Sequence, residues 1–426
     1  MAIFIKNGTV LLPNNQTEQT DLVIEQDKIK SIGKVNQENV HFEQVIDATG
    51  MLIIPGLVNA HTHAAMTLLR SYADDMKLMD WLNNKIWPVE AKMKREDIYW
   101  GSMLAAVEMI RSGTVAFADM YGPCMEEVAK VVEESGLRGV LSQGLIGVAP
   151  NADEKLASNI SLYENFHGKA EGRITVMLGP HAIYTCPPEY LKKVSAAAEK
   201  LGAEIHIHMS ETLDEVNGCM KDYGKRPFQV VEETGLFEHG TLAAHCVHLS
   251  DEEIEIIKKH NIRVAHNPGS NMKLASGIAP VMKLLKEGVC VGLGTDGASS
   301  NNNLDMMEEI RLAALLGKMD KLDPLAVPAS AAIRMGTEYG AEAVGLSDLG
   351  QIEEGNQADI ALIRMDGPEW CPNYNPMSLL VYSANSSSVD TLFVAGRVIM
   401  EHRELKTLDE EKILFEASRC AKRLTE

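Results

Sequence analysis

The chain opens with short alternating runs of apolar and polar residues at 3–6, 21–25, 29–32 and 44–46, separated by turn residues. Runs of this kind predict β-strands. From about Val58 the pattern changes to short, continuously apolar runs alternating with longer segments of helical period. Such alternation predicts repeated β-α units and a parallel sheet. Eight runs can be counted, at 58–63, 114–120, 138–145, 174–181, 204–209, 241–248, 262–267 and 289–296. Between them, Trp100, Met103, Leu104, Val107 and Ile110 recur every three or four positions, and Gly113 follows as a C-terminal cap. Ser250 with Glu253 reads as a capping box, while Gly136, Gly202 and Gly288 end helix-like segments just ahead of a strand.

Eight parallel strands with outer helices is the arithmetic of a (β/α)8 barrel; a doubly wound open sheet is the competing layout. Past Gly350 the texture returns to β at 355–364, 389–394 and 396–400, with a last helix from about Asp409. Neither terminal β segment is long enough to fold alone, so the two are expected to pair. The predicted architecture is α/β. A TIM barrel occupies residues 56–349, and a small β-sandwich domain is built from both chain ends, 1–55 and 350–426, the latter including the terminal helix.

Composition narrows the partners. With 426 residues, 40 Lys+Arg against 60 Asp+Glu give a net charge of −20, which opposes nucleic acid and anionic membrane surfaces. No apolar run approaches the roughly 20 residues that span a bilayer. The first ten residues carry Lys6 and Asn7 inside their apolar stretch and read as a strand, not a signal peptide. Seven scattered cysteines with no CxxC pair predict reduced thiols and a cytoplasmic protein. A small-molecule partner is left, and a homo-oligomer is compatible with this composition.

In a parallel barrel, chemistry gathers at the C-terminal ends of the strands. The polar residues at those ends are His61 and His63 on the first run, His181 on the fourth and His208 on the fifth, with Glu211 just beyond it. The sixth supplies His245 and His248, the seventh His266 and Asn267, and the eighth Asp296. Residues i and i+2 of a strand share a side, so His61 and His63 can reach one ion. His206 and His208 repeat the spacing, although His206 also reads as a satisfied core histidine. His61, His63, His208 and Asp296 make a three-nitrogen, one-carboxylate set that suits a catalytic zinc with an open position for water. Glu211 is placed to carry a proton and His245 to polarise the water, with Asp296 both ligand and relay. Gly292, Gly294 and Gly297 fit a dinucleotide-binding pattern, but Ala298 to Asn303 does not open a helix there, so no such cofactor is expected.

The segments Ile46, Asp47, Gly50 and Ile54, Pro55, Gly56, Asn59, His61, His63 resemble the entry signature of the amidohydrolase superfamily. Gly294 to Gly297 and Glu354 to Ile360 resemble its later motifs, and the resemblance covers nearly the whole chain. His208 with Glu211 is similar to the mononuclear deaminase branch. Asp80, Trp81, Ile86, Trp87, Pro88 and Glu90 most resemble the 5′-methylthioadenosine/S-adenosylhomocysteine deaminases. That resemblance implies one Zn2+ per chain, with iron the alternative. It implies an adenosine-type nucleoside substrate whose ribose hydroxyls meet Glu90, a substrate contact from His181, and release of ammonia. Where the family usually shows an arginine, this chain reads Leu141 to Gly144, with Gln143 as the departure. Loss of a cation there, like the negative net charge, favours an uncharged 5′ tail such as methylthio over homocysteine. The competing readings are another mononuclear amidohydrolase, acting on guanine, cytosine or a chlorinated triazine, and a non-catalytic relative. The latter would be expected to lose ligands that are all present here.

Overall fold

The computed structural model describes residues 2–34 and 41–426. Strands β1 (Ala2–Leu11), β2 (Thr17–Glu25), β3 (Lys28–Ile32), β4 (Gln44–Asp47) and β5 (Met51–Pro55) precede the barrel. Its strands are β6 (Leu57–Thr62), β7 (Thr114–Tyr121), β8 (Arg138–Leu145), β9 (Ile174–Val176), β10 (Gly179–Pro180), β11 (Ile205–Met209), β12 (Thr241–His245), β13 (Arg263–His266) and β14 (Val291–Leu293). After it come β15 (Ile360–Arg364), β16 (Val389–Val394), β17 (Arg397–Glu401) and β18 (Glu404–Leu405).

The two chain ends form one nine-stranded sheet in the order β18-β17-β16-β15-β5-β1-β2-β3, with β4 added alongside β1. The join is β5 against β15, antiparallel, pairing Ile54 with Ala361 and Leu362 with Ile53. Alternation along β1 sends Ile3 and Ile5 into a private core with Leu22, Ile24, Ile53, Leu362 and Phe393. Phe4 faces the other way and stacks on Phe42, ring centroids 5.0 Å apart.

The barrel strands pair in parallel in two arcs, β6 through β10 and β11 through β14. Strands such as β7 are buried along their whole length, which explains why they read as unbroken apolar runs. Main-chain bonds close both seams. Leu178 N–H donates to Glu204 and His206 N–H to Leu178, each at 2.9 Å, and Asp296 N–H donates to the His61 carbonyl at 2.9 Å. At the second seam a Cβ on Gly294 would lie 2.7 Å from the His61 nitrogen, so only glycine permits this approach. The closed circuit excludes the doubly wound alternative.

Three runs depart most from the lengths that the sequence predicts. The fourth breaks into β9 and β10, where the buried Asn159 amide donates to the Met177 carbonyl at 3.0 Å and accepts the Gly179 N–H at 3.1 Å, taking both groups from the ladder. The sixth stops at His245 because His245 and Cys246 take φ of 72° and 49°, which turns the chain out of the sheet. The eighth ends at Leu293, and Asp296 lies beyond it at φ 59°. The expected helix ends are present: Ser250 caps Asp251–Lys259 reciprocally with Glu253, and Gly136 ends Met125–Ser135 at φ 84°.

Arg138, at the start of β8, ties barrel to sheet. Its guanidinium makes two 2.9 Å bonds to the buried Asp359 carboxylate and a 2.8 Å bond to Gln357. No helix among the described residues is long and apolar enough to cross a membrane.

Candidate metal centre and active site

Period-two alternation aims the even residues of β11, His206 and His208, into the barrel and sends Ile205, Ile207 and Met209 outward among the helices. His61 is the penultimate residue of β6 and faces the same interior, and His63 follows one residue past that strand. The rings of His61, His63 and His208 each have Nδ1 engaged. His63 Nδ1 bonds the Met120 carbonyl at 2.5 Å, His208 Nδ1 the His181 carbonyl at 2.8 Å, and His61 Nδ1 lies 2.9 Å from His206 Nε2. A carbonyl accepts only, so His63 and His208 carry their protons on Nδ1 and present bare Nε2 atoms inward. His245 is held likewise, with Nδ1 2.9 Å from Asn271 Oδ1.

Ligand atoms of His61, His63 and Asp296 lie within 4.8 Å of one another, as do those of His61, His208 and His245. Asp296 Oδ1 is 3.2 Å from His63 Nε2 and 3.6 Å from His61 Nε2, and its Oδ2 accepts the Ser270 hydroxyl at 2.6 Å. His61 is fully buried, and its Nε2 has no hydrogen-bond partner among the described residues. A buried nitrogen left so costs about 1–3 kcal/mol, and a cation would satisfy it. Nitrogen and carboxylate donors in this proportion fit zinc. Ser210, His245 and Asp296 all hold positive φ without being glycine. Such strain persists where the surroundings impose it, commonly at functional sites.

Glu211 sits in the turn from β11 into the helix Leu213–Tyr223. Its backbone N–H, with that of Ser210, is gripped by the Glu215 carboxylate at 2.8 and 2.9 Å. Its side chain reaches to 3.8 Å from His245 Nε2 and accepts Ser276 Oγ at 3.4 Å. Burial lifts the Glu211 carboxyl above its ordinary range against the pull of His245, and the charge on Asp296 adds to the lift. Burial drives the His181 imidazole down to about 3, so it meets a ligand uncharged.

These groups line one cavity, about 910 Å³ counted to its open mouth, with Trp81, Leu82 and Trp87 on its far wall. His63, Glu90, His181, His208, Glu211, His245 and Asp296 all face it, and His61 lies behind them. Gln143 lies instead on an adjoining depression, its Oε1 accepting the Ser158 hydroxyl at 2.7 Å. His248 and His266, also counted on the rim by sequence, do not line this cavity; His248 Nε2 bonds the Ser276 carbonyl at 2.6 Å.

Sequence reasoning missed Tyr121, which donates to Glu90 Oε1 at 2.6 Å, and Lys155, shared by the cavity and the depression. Tyr121 stands one residue past the end of the second predicted run, so the rule that picked His61 and His208 reaches it too. Lys155, in the helix Ala152–Phe166, has the look of an ordinary surface lysine and carries no such signal.

A closed eight-stranded barrel with imidazoles and one aspartate converging on its C-terminal rim defines a metal-dependent hydrolase architecture. Residues 52–399 match the amidohydrolase family model, and the chain belongs to that family. It is 51% identical over 429 residues, spanning 100% of both chains, to a protein of Desulforudis audaxviator named 5-methylthioadenosine/S-adenosylhomocysteine deaminase. A protein of the same name from Pelotomaculum thermopropionicum is 52% identical, over 99% of this chain and 98% of the relative. Among solved structures, an adenosine deaminase from Xanthomonas campestris with bound zinc superposes with a TM-score of 0.94 at 32% identity, covering 99% and 98% of the two chains.

Proposed function

We propose that this chain hydrolytically deaminates 5′-methylthioadenosine and S-adenosylhomocysteine, giving the inosine analogue and ammonia. One observation carries the reading: the inward-facing imidazoles, Asp296 and Glu211 line the same cavity as Glu90. The names of the relatives and the zinc-bearing neighbour support it. The catalytic work belongs to residues 56–349, and residues 1–55 with 350–426 brace the barrel from outside. Seven unpaired cysteines suit a cytoplasmic setting.

His61, His63, His208 and Asp296 would hold a single zinc, with iron the alternative. A bound ion of this kind acidifies and orients a water molecule for attack on C6 of adenine. Everything else falls to the side chains. Glu90, fixed by Tyr121, accepts hydrogen bonds from the two ribose hydroxyls, and neutral His181 contacts the nucleoside. Glu211, with its raised affinity for protons, donates to N1 and is recharged from the water. His245 and Asp296 hold the attacking oxygen in place. In balance, the C6–O bond forms, the C6–N bond breaks, and the two water protons finish on N1 and on the departing ammonia.

The adjoining depression bears on the 5′ tail. Lys155 and Glu154 offer opposite charges there beside Asn151 and Ser158. That arrangement suits a zwitterionic amino-acid tail, so the cation missing at position 143 is supplied from the next helix and the homocysteine tail is accepted.

The test is ammonia release by the zinc-loaded protein from methylthioadenosine, S-adenosylhomocysteine, adenosine, 5′-deoxyadenosine and guanine. Highest kcat/KM on the first two is the expected result. Turnover of guanine alone would overturn the substrate assignment.

A further inference from the structure

We propose that His206 is a positioning residue that sets the tautomer of His61 and so makes His61 competent to bind the ion. The proposal rests on the metal-site reading above. It concerns a histidine that does not line the cavity and belongs to neither group of ion-holding atoms.

Alternation along β11 places His206 two residues before His208 on the same interior face, one rung deeper in the barrel. Its Nε2 lies 2.9 Å from His61 Nδ1, with the two rings edge to face at a centroid distance of 5.0 Å and 80° between planes. One proton lies between those nitrogens. If His206 donated it, neutral His61 would carry its own proton on Nε2, the atom that points toward Asp296 Oδ1 at 3.6 Å. An N–H there cannot ligate. If His61 donates from Nδ1, its Nε2 lone pair faces the ion, and His206 acts as the acceptor.

His63 and His208 obtain the same result from main-chain carbonyls, those of Met120 and His181. His61 lies deeper within the barrel, and the partner its Nδ1 meets there is a side chain, the His206 imidazole. The arrangement has a cost. With Nε2 accepting, His206 carries its proton on Nδ1, a buried atom without a partner among the described residues. Leaving such a donor unmatched costs about 1–3 kcal/mol. A residue present only to fill volume would avoid that cost by being apolar.

The experiment is zinc affinity by competition with a chelator for wild type, His206→Gln and His206→Leu, alongside the melting temperature of each metal-free protein. Glutamine offers a carbonyl acceptor and is expected to stay within a few-fold of wild-type affinity. Leucine is expected to weaken zinc about 10- to 100-fold, the usual range for a lost outer partner, with metal-free melting close to wild type. A folded His206→Leu protein with wild-type affinity overturns the proposal. So does a folded His206→Gln protein that loses zinc by tenfold or more, and this arm decides alone if the leucine variant fails to fold. A wild-type protein that binds no zinc overturns the metal-site reading itself and is distinguished by that.

Discussion

The Tyr121 hydroxyl donates to Glu90 Oε1 across 2.6 Å, linking the end of β7 to the short helix Trp87–Glu90 that overhangs the cavity. Burial pushes the Glu90 carboxyl up, and this bond pulls it back down, so Tyr121 helps keep Glu90 ionised and aimed. A hydrogen bond to a charged group contributes about 1.5–3 kcal/mol. Tyr121→Phe is therefore expected to raise KM for methylthioadenosine roughly tenfold or more with kcat little changed. Steady-state kinetics check it, and an unchanged KM counts against Glu90 as the ribose contact.

Lys155 should separate the two substrates. Burial depresses its ammonium, and the charge of Glu90 partly restores it, so it stands half-buried between the cavity and the depression. Lys155→Met removes the only lysine or arginine among the described residues that line either space. The variant is expected to lose roughly tenfold or more in kcat/KM on S-adenosylhomocysteine, by loss of a charge-assisted bond, and little on methylthioadenosine. Equal losses on both would contradict the tail-binding role.

The Arg138–Asp359 pair predicts a defect of stability without one of chemistry. Both side chains are buried, so removing one partner strands the other. Asp359→Ala is expected to cost about 3–5 kcal/mol, read by urea unfolding, while kcat of the folded fraction stays near wild type.

Glu309 predicts a pH effect. Burial pushes its carboxyl up to about 8, against bonds from the Gly269 N–H and the Asn301 amide. The folded state thus holds a proton that the unfolded chain releases near its ordinary pKa of 4.5. Between those values the folded state binds more protons, so this group's contribution falls as pH rises from about 4.5 through 8. Glu309→Gln should flatten the decline in unfolding free energy between pH 5 and 8 relative to wild type. An unchanged slope would contradict it.

The proposed metal site was legible in sequence because period two acts on residues inside strands, where side-chain direction follows from position alone, and the barrel's rim rule reaches the residues just past them. His61 and His208 lie inside strands, while His63 and Asp296 lie just past strand ends, and the sheet from both chain ends follows from segments too short to stand alone. What stayed hidden depended on packing between elements. Nothing in 206-x-208 says which histidine faces the cavity and which bonds His61. The reach of Lys155 depends on how its helix packs beside β8, so the sequence pointed to a lost cation at Gln143 and gave no sign that Lys155 lines both spaces. The break in the fourth strand comes from Asn159, a helix residue whose amide reaches Met177 and Gly179 only once the helix packs on the sheet.

Glu211 tests the central claim most directly. Glutamine keeps its shape and removes the transferable proton, and its side chain is not among the ion-holding groups of the described residues. With metal content measured in parallel, zinc-loaded Glu211→Gln is expected to retain one ion per chain. Its ammonia release from methylthioadenosine should fall about 100- to 10,000-fold, the span of general acid–base catalysis. A variant that holds its metal and deaminates at the wild-type rate would contradict the account.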